Sequence, residues 1–418
     1  MTKICILGGG FGGLYTALYL RRFPWLRSPD CQITLVDQKD RFLFLPLLYE
    51  LVTRELKPWQ IAPSFEKLLA NKNIQFCQAT IQGVDLKARQ VKLLGRETLS
   101  YDYLVLALGG KTSTDGVPGA AEYALPFRTL ADARYLDERL RSLETTDLPQ
   151  IRVVTIGGGP SGVELACKVA DRLGKRGHIL LVERGAQILK PFSSELRRGA
   201  YRALQARGVQ VELRTGVDAI APNQITLVRD NRITPLAVDL VLWTAGTKSI
   251  DWVSQLDCQQ NDLGQLLTLP TLQLVDYPEV LALGDMAEIQ YPNGKRIPAT
   301  AQVAYQQAAG AAHNLKALIK RRRLKNFHYL HLGDMLTLGV NAAVVSSFGL
   351  NLEGRLASIT RQMVYLQRLP TMRHRLQVLW HWIVSGCKHL LQLLSNGFSS
   401  QGKRSANYPQ RVKNLSQK

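Results

Sequence analysis

A chain of 418 residues has room for two or three domains with sizeable cores, and 46% hydrophobic with 21% charged residues is ordinary for a soluble-bodied enzyme. The formal charge of +20 is not ordinary and predicts attraction to a polyanion, either nucleic acid or an anionic lipid surface. Six cysteines are scattered without a C-x-x-C or a metal-like spacing, which argues against a disulfide framework or a metal centre and for structural thiols in a reducing compartment.

Only three residues precede the first apolar run, so no signal or transit peptide is expected. That run, residues 4–7, reads as a strand and leads into GGGFGG, with Gly8, Gly10 and Gly13 spaced as a dinucleotide fingerprint. The first glycine makes the tight turn, the second lets backbone approach a pyrophosphate, and the third lets helix and strand pack closely. The pyrophosphate then sits on unpaired N–H groups at a helix start, where the dipole favours negative charge. The next strand, 32–36, ends at Asp37, placed to accept hydrogen bonds from a ribose. The unit closes with a buried-type strand over 103–108 that ends at Gly109.

The same order returns in mid-chain. An apolar run over 153–156 leads into GGGPSG, with Gly157, Gly159 and Gly162, and the strand 178–182 ends at Glu183. A closing strand over 240–245 ends at Gly246. One such fingerprint is weak, because glycine-rich turns are common; two, each between a strand-like run and a helix-like stretch and each followed by an acid, are strong. The chain is expected to bind two dinucleotides and to move electrons between them. Glu183 would hold a free 2′-hydroxyl and repel a 2′-phosphate, which favours NADH, while Arg184 directly after it leaves NADPH open. The bland reading of both acids is a solvated residue at a strand end, and the spacing favours the functional one.

The chain then returns to its first domain with an apolar strand over 280–283 that delivers Gly284 and Asp285 to the sheet edge where open α/β folds bind ligands. The expected organisation is a first domain over 1–111, an inserted domain over 112–248, the rest of the first domain over 249–325, and a C-terminal region over 326–418. Within that region a helix is expected over 376–394. Gln377, His381, Ser385, Lys388 and Gln392 form one polar stripe on it, and Trp380, Trp382, Ile383 and four leucines fill the rest. The stripe argues against a spanning helix and for one lying in a membrane interface. Nearby basic residues such as Arg368, Arg373 and Arg375 would each add about 1 kcal/mol at an anionic surface. Burial against the core or a second copy of the chain is the competing reading.

The order of GGGFGG, YDYLVLALGG, GGGPSG, DLVLWTAG and VLALGDMAE resembles the two-dinucleotide flavoprotein disulfide-reductase superfamily over roughly residues 2–310. The resemblance implies an α/β fold with two Rossmann-like, glutathione-reductase-like domains, FAD on the first and NAD(P)H on the second. It puts Asp37 on the FAD ribose, Asp285 on the ribityl chain and Glu183 on the ribose of the nicotinamide cofactor. No C-x-x-x-x-C stands beside the flavin, so the acceptor would take electrons from the flavin itself.

FLFLPLLYELV and ATAQVAYQQAAGAAHNL narrow the resemblance to the type II NAD(P)H:quinone oxidoreductases. In them the first segment lies along the flavin, and the second faces it and helps form the quinone pocket. The resemblance makes Glu164 and Gln302 catalytic and places Pro46, Gln302, Gln306 and Arg361 at the quinone. Gln302 and Gln306, one turn apart, would reach the flavin pyrimidine or a quinone carbonyl. Taken alone, Gln302 reads as an ordinary helix-start glutamine and Pro46 as a packing residue. YELVTRELKPWQIAPSF and HYLHLGDMLTLGVNAAVV look like the branch from phototrophs that reduces demethylphylloquinone, a naphthoquinone. The expected partners are a membrane quinone, an anionic membrane surface on the cytoplasmic face of a plasma or thylakoid membrane, and a second copy in a homodimer. Nucleic acid is not expected, because the basic residues are not interleaved with a recognisable binding module. The alternatives are a sulfide:quinone oxidoreductase using Cys167 and a non-catalytic flavin redox sensor.

Overall fold

Both glycine turns stand where the buried end of a parallel strand meets a helix. The computed structural model describes residues 1–24, 30–291, 294 and 296–385. In chain order the first stretch gives β1 (Thr2–Leu7), α1 (Phe11–Leu20), β2 (Cys31–Asp37), β3 (Gln75–Gln78) and β4 (Tyr103–Leu106). The second gives β5 (Ala124–Pro126), α2 (Leu130–Glu144), β6 (Ile151–Ile156), α3 (Pro160–Leu173), β7 (Gly177–Glu183), α4 (Ser194–Ala206), β8 (Gln210–Leu213) and β9 (Leu240–Trp243). The third gives β10 (Val280–Ala282), α5 (Ala301–Ile319), β11 (Asp334–Thr337), β12 (Ala343–Ser347), β13 (Leu350–Glu353) and α6 (Gly354–Arg368).

The strands form two parallel five-stranded sheets, in the orders β10-β4-β1-β2-β3 and β8-β7-β6-β9-β5. In each, the fingerprint strand is central: Leu7 pairs with Val36 and Leu106, and Ile156 with Val182 and Trp243. The strands read as continuous apolar runs because both faces are covered. One core gathers Leu7, Val36, Leu106, Val280 and Ala282, and the other Ile156, Val182, Ile225, Val241 and Trp243. Each unit also carries a three-stranded antiparallel sheet inserted before its closing strand, Ile81–Asp85 with its neighbours in the first and Gly216–Ala221 with its neighbours in the second. The repeat seen in the sequence is therefore a repeat of architecture.

Strand β10 pairs with β4 at the edge of the first sheet, so the strands of the second sheet fall in sequence between two paired strands of the first. The two crossings between them lie side by side as a short antiparallel ladder in which Thr247 pairs with Thr112 and Lys248 with Lys111. Helix α1 packs on α5 through small and aromatic residues: Thr16 Oγ1 reaches the Ala308 carbonyl at 3.5 Å, and the rings of Tyr15 and Tyr305 meet edge to face at 4.7 Å.

The chain divides into two compact units, Met1–Val364 and Tyr365–Lys418. In the second, a helix occupies 372–385, four residues ahead of the expected start, with the Thr371 hydroxyl accepting a hydrogen bond from the His374 N–H. Residues 386–394 of the expected helix lie outside the described residues. Among the described residues no helix is long and apolar enough to cross a membrane.

Candidate functional site

The two glycine turns have the same geometry. Gly8 and Gly157 sit at φ of +96° and +106°, and their N–H groups donate to Val36 and Val182 at 2.8 Å each. A Cβ on Gly13 would lie 1.8 Å from the Gly8 carbonyl oxygen, and one on Gly162 would lie 1.8 Å from that of Gly157. Those positions hold helix against strand. Around Gly10 and Gly159 a Cβ would meet nothing within 4 Å. The middle glycines therefore face open space, as a pyrophosphate requires.

Both helices that follow are left open at their starts. α1 and α3 have no capping side chain and no acid in the first turn. By contrast α2, α4 and α5 are capped by Thr129, Ser193 and Thr300. Uncapped N–H groups with an unopposed dipole suit a phosphate, so the cradles fit FAD and NAD(P)H.

The acids are held alike. Asp37 Oδ2 accepts from the Gly9 N–H at 2.6 Å and Oδ1 from that of Lys39 at 2.8 Å. Glu183 Oε2 accepts from the Gly158 N–H at 2.6 Å and Oε1 from that of Gly185 at 2.5 Å. Burial pushes the Asp37 carboxyl up against the pull of its backbone donors. Each carboxylate is thus oriented beside its cradle by the chain itself. Gly109 and Gly246, at φ of +68° and +75°, turn the chain away at the ends of β4 and β9.

At the third edge Gly284 is left-handed, at φ of +72°, and its N–H donates to buried Gln307 at 2.7 Å. Asp285 pairs with Arg128 at 2.7 Å, an arginine brought over from the inserted domain. Neither Gln307 nor Arg128 is apparent from the fingerprints, because each is defined by a partner far away in the chain.

Pro46, Glu164 and Arg361 come together, joined by Glu50. Arg361, 2% exposed, donates through Nη1 to Glu50 and through Nη2 to the Pro46 carbonyl at 2.6 Å; Nη2 also lies 3.8 Å from Glu164 Oε1. The same Glu164 oxygen accepts from the Thr337 N–H at 2.9 Å, which ties α3 to the end of β11. Burial pushes the Glu164 carboxyl up to about 8; Arg361 and the Thr337 N–H oppose this, and Glu50 adds to it. Burial thus favours the protonated form of Glu164, against the pull of Arg361 and the Thr337 N–H. Tyr49, packed among the same groups, is pushed up by burial as well.

Gln302 and Gln306 share a face of α5, as their spacing requires, and that face carries the segment 329–333. Gln302 accepts from the Leu332 N–H at 3.1 Å and the Tyr329 hydroxyl at 2.8 Å, and donates to Gly333 at 3.2 Å. Gln306 accepts from the Leu330 N–H at 3.1 Å and donates to its carbonyl at 2.8 Å. Both amides thus meet the segment 329–333, through its backbone groups and the Tyr329 hydroxyl. Four residues after Gly333 comes Thr337, so this strap leads straight to Glu164.

Cys167 is fully buried, and burial pushes its thiol up to about 12, so it offers no thiolate for sulfide chemistry. Further along α3, Lys168 pairs with Glu55, and Arg172 with Asp137 at 2.6 Å and Glu144 at 2.7 Å. A signal for these was present: Glu164, Lys168 and Arg172 recur every fourth residue on one face of the helix.

Two pyrophosphate cradles in tandem, the second domain inserted into the first, and a buried acid just inside the second cradle define a two-dinucleotide oxidoreductase. A profile of the pyridine nucleotide-disulphide oxidoreductase family matches residues 2–308, and the chain belongs to that family and, within it, to the type II NAD(P)H:quinone oxidoreductases. It is 46% identical to the demethylphylloquinone reductase of Synechocystis sp. over 91% of this chain and 95% of that protein. It is 37% identical to an alternative NAD(P)H-ubiquinone oxidoreductase, chloroplastic/mitochondrial, of Arabidopsis thaliana, over 95% of this chain and 83% of that one. Its fold matches the structure of NDH2 from Plasmodium falciparum in complex with NADH, with a TM-score of 0.82 at 20% identity, over 91% of this chain and 97% of that one.

Proposed function

We infer that this protein passes two electrons from NAD(P)H, through FAD, to a membrane quinone. What carries the reading is the pair of uncapped glycine cradles, each with its acid already oriented by a backbone N–H. When bound, FAD supplies hydride acceptance and two-electron delivery. The chain's own residues bind, orient and supply a proton. Gly8, Gly10, Gly13 and the start of α1 hold the FAD pyrophosphate, with Asp37 on its ribose and Asp285 toward the ribityl chain. Gly157, Gly159, Gly162 and the start of α3 hold the nicotinamide cofactor, with Glu183 on its ribose. Glu164 holds a proton at its carboxyl beside the acceptor, Arg361 fixes the 46–50 turn under it, and Gln302 and Gln306 bound the acceptor side through the strap. The likeness to the Synechocystis enzyme favours a naphthoquinone such as demethylphylloquinone.

Docking on an anionic membrane at its cytoplasmic face fits the +20 charge and two exposed apolar stripes. Leu356, Ile359 and Met363 expose one on α6, and Met372, Leu376, Trp380 and Ile383 expose another on the helix 372–385.

Anaerobic oxidation of NADH and NADPH, with and without a naphthoquinone in lipid vesicles, tests the function. A large quinone-dependent rate is expected, and the NADH to NADPH ratio reports whether Glu183 or Arg184 governs the ribose site. Flavin that is reduced but accelerated by no quinone would leave a redox sensor instead. Asp285→Ala should purify flavin-poor; a fully yellow variant would sink the FAD assignment.

A further inference from the structure

A two-residue loop joins β12 to β13. Ser347 and Leu350 pair across it, and φ is positive at both residues between them, +49° at Phe348 and +80° at Gly349. Such a hairpin turn calls for Asn, Asp or Gly at its first position, and a bulky side chain held left-handed is an outlier. The chain follows that rule elsewhere: the loop between Gln224–Arg229 and Arg232–Ala237 has positive φ at Asp230 and Asn231, both turn residues. Among the described residues, three large apolar ones take positive φ. Leu189 and Leu272 are 1% and 0% exposed, so burial offsets their strain. Phe348 is 79% exposed and gains little from packing. Asparagine would serve this turn better, so the phenyl ring stands at the tip for something outside the chain.

The surroundings point to lipid. Leu350 beside it is 70% exposed, Leu330 on the strap is 60% exposed, and α6 with its apolar stripe follows β13 directly. The Ser347 hydroxyl donates to the Leu332 carbonyl at 2.7 Å, which ties the tip to the strap that Gln302 and Gln306 hold. The tip is small for a protein partner: one Phe buries about 150–250 Å², and a stable complex takes about 800 Å² from each side. A bilayer asks for no matching surface, and anionic lipid suits a chain of charge +20.

We propose that Phe348 and Leu350 form a wedge that enters the bilayer and holds the acceptor side against the lipid that carries the quinone. The proposal rests on the acceptor being a membrane quinone. Docking buries the apolar area that the fold leaves in water, which offsets the strain at Phe348.

Co-sedimentation of the full flavin-loaded chain with vesicles of phosphatidylglycerol and phosphatidylcholine tests it, at a lipid concentration that binds half of the wild type. Phe348→Asn should weaken binding by about tenfold, the scale of returning one buried aromatic side chain to water. It should melt no lower than wild type, because asparagine suits the turn. Leu350→Thr keeps a residue favoured in strands and should act in the same direction on binding. With a soluble naphthoquinone both variants should turn over within about twofold of wild type, whereas with vesicle-borne quinone KM should rise. Unchanged vesicle binding in both variants overturns the wedge, as does a lowered melting temperature in Phe348→Asn, which would make the ring a part of the fold. A dimer that Phe348→Asn dissociates, with vesicle binding unchanged, makes a second copy the occupant and overturns it too. Wild type that binds vesicles yet reduces no quinone overturns instead the function on which the proposal rests; binding, which needs no turnover, still decides the wedge.

Discussion

Helices α1 and α3 start from superposable cradles and then diverge. α1 buries Leu14, Tyr15, Thr16, Ala17 and Leu20, with no charged side chain among them. α3 buries Glu164 and Lys168, and Arg172 beyond them is 6% exposed at its side chain. Both follow a glycine cradle of the same local geometry, but only α3 carries a line of ionisable groups beyond it. The teaching is that one motif serves two roles. In the first unit the buried face of the helix is apolar, and in the second it also houses Glu164 and Lys168.

Substitutions can break that contrast. Glu50→Ala strands the Arg361 guanidinium in the interior and should cost about 3–5 kcal/mol in denaturant unfolding, because the uncompensated buried charge dominates. Nothing comparable exists along α1, where Leu14→Ala should behave as a plain cavity, with a loss of about 2–5 kcal/mol that does not change with pH.

The pH dependence sharpens it. With its carboxyl pushed up to about 8 from an ordinary 4.5, folded Glu164 keeps a proton that the unfolded chain releases. That contribution is fully present below about pH 4.5 and is lost as pH rises to about 8, since the folded state binds more protons across that window. Glu164→Gln should flatten this decline in unfolding curves measured across the window, and an unchanged slope would remove Glu164 as its source.

Next in size, Gly13→Ala and Gly162→Ala drive a methyl into backbone oxygen in both units and should each lower stability by about 1–3 kcal/mol. The gentlest test uses Gly10→Ala and Gly159→Ala. Each fills open space, so melting of the nucleotide-free protein should hardly move. Flavin retention should fall only in the first and NADH affinity only in the second, by about tenfold, or 1.4 kcal/mol. Loss of both nucleotides in one variant would contradict two independent cradles.

The cradles were legible because their requirements are local. A left-handed turn, a missing Cβ and an acid one strand later are set by covalent geometry within some thirty residues. The returning strand with Gly284 and Asp285 was legible for the same reason. The charged cluster was not. Glu50 and Arg361 are 311 residues apart, Lys168 and Glu55 113, and Arg128 and Asp285 157, so only the packed fold introduces them. Gln302 and Gln306 show the intermediate case: helical periodicity put them on one face, but what lies on that face depended on where the strap runs. A lone carboxylate in FLFLPLLYELV was the clue to Glu50, since a buried acid needs a cation from elsewhere.

The paired crossings between the domains have a mechanical consequence. A domain joined by one strand can swivel freely about it; one joined by two strands, hydrogen-bonded as Thr112 is to Thr247 and Lys111 to Lys248, resists torsion and bends along one axis. The ion pairs Lys111–Asp251 and Lys248–Asp115, at 2.5 Å each, flank that ladder like the two knuckles of a hinge. Relative motion of the two sheets, where it occurs, is thereby guided by a paired ladder and not by a single strand.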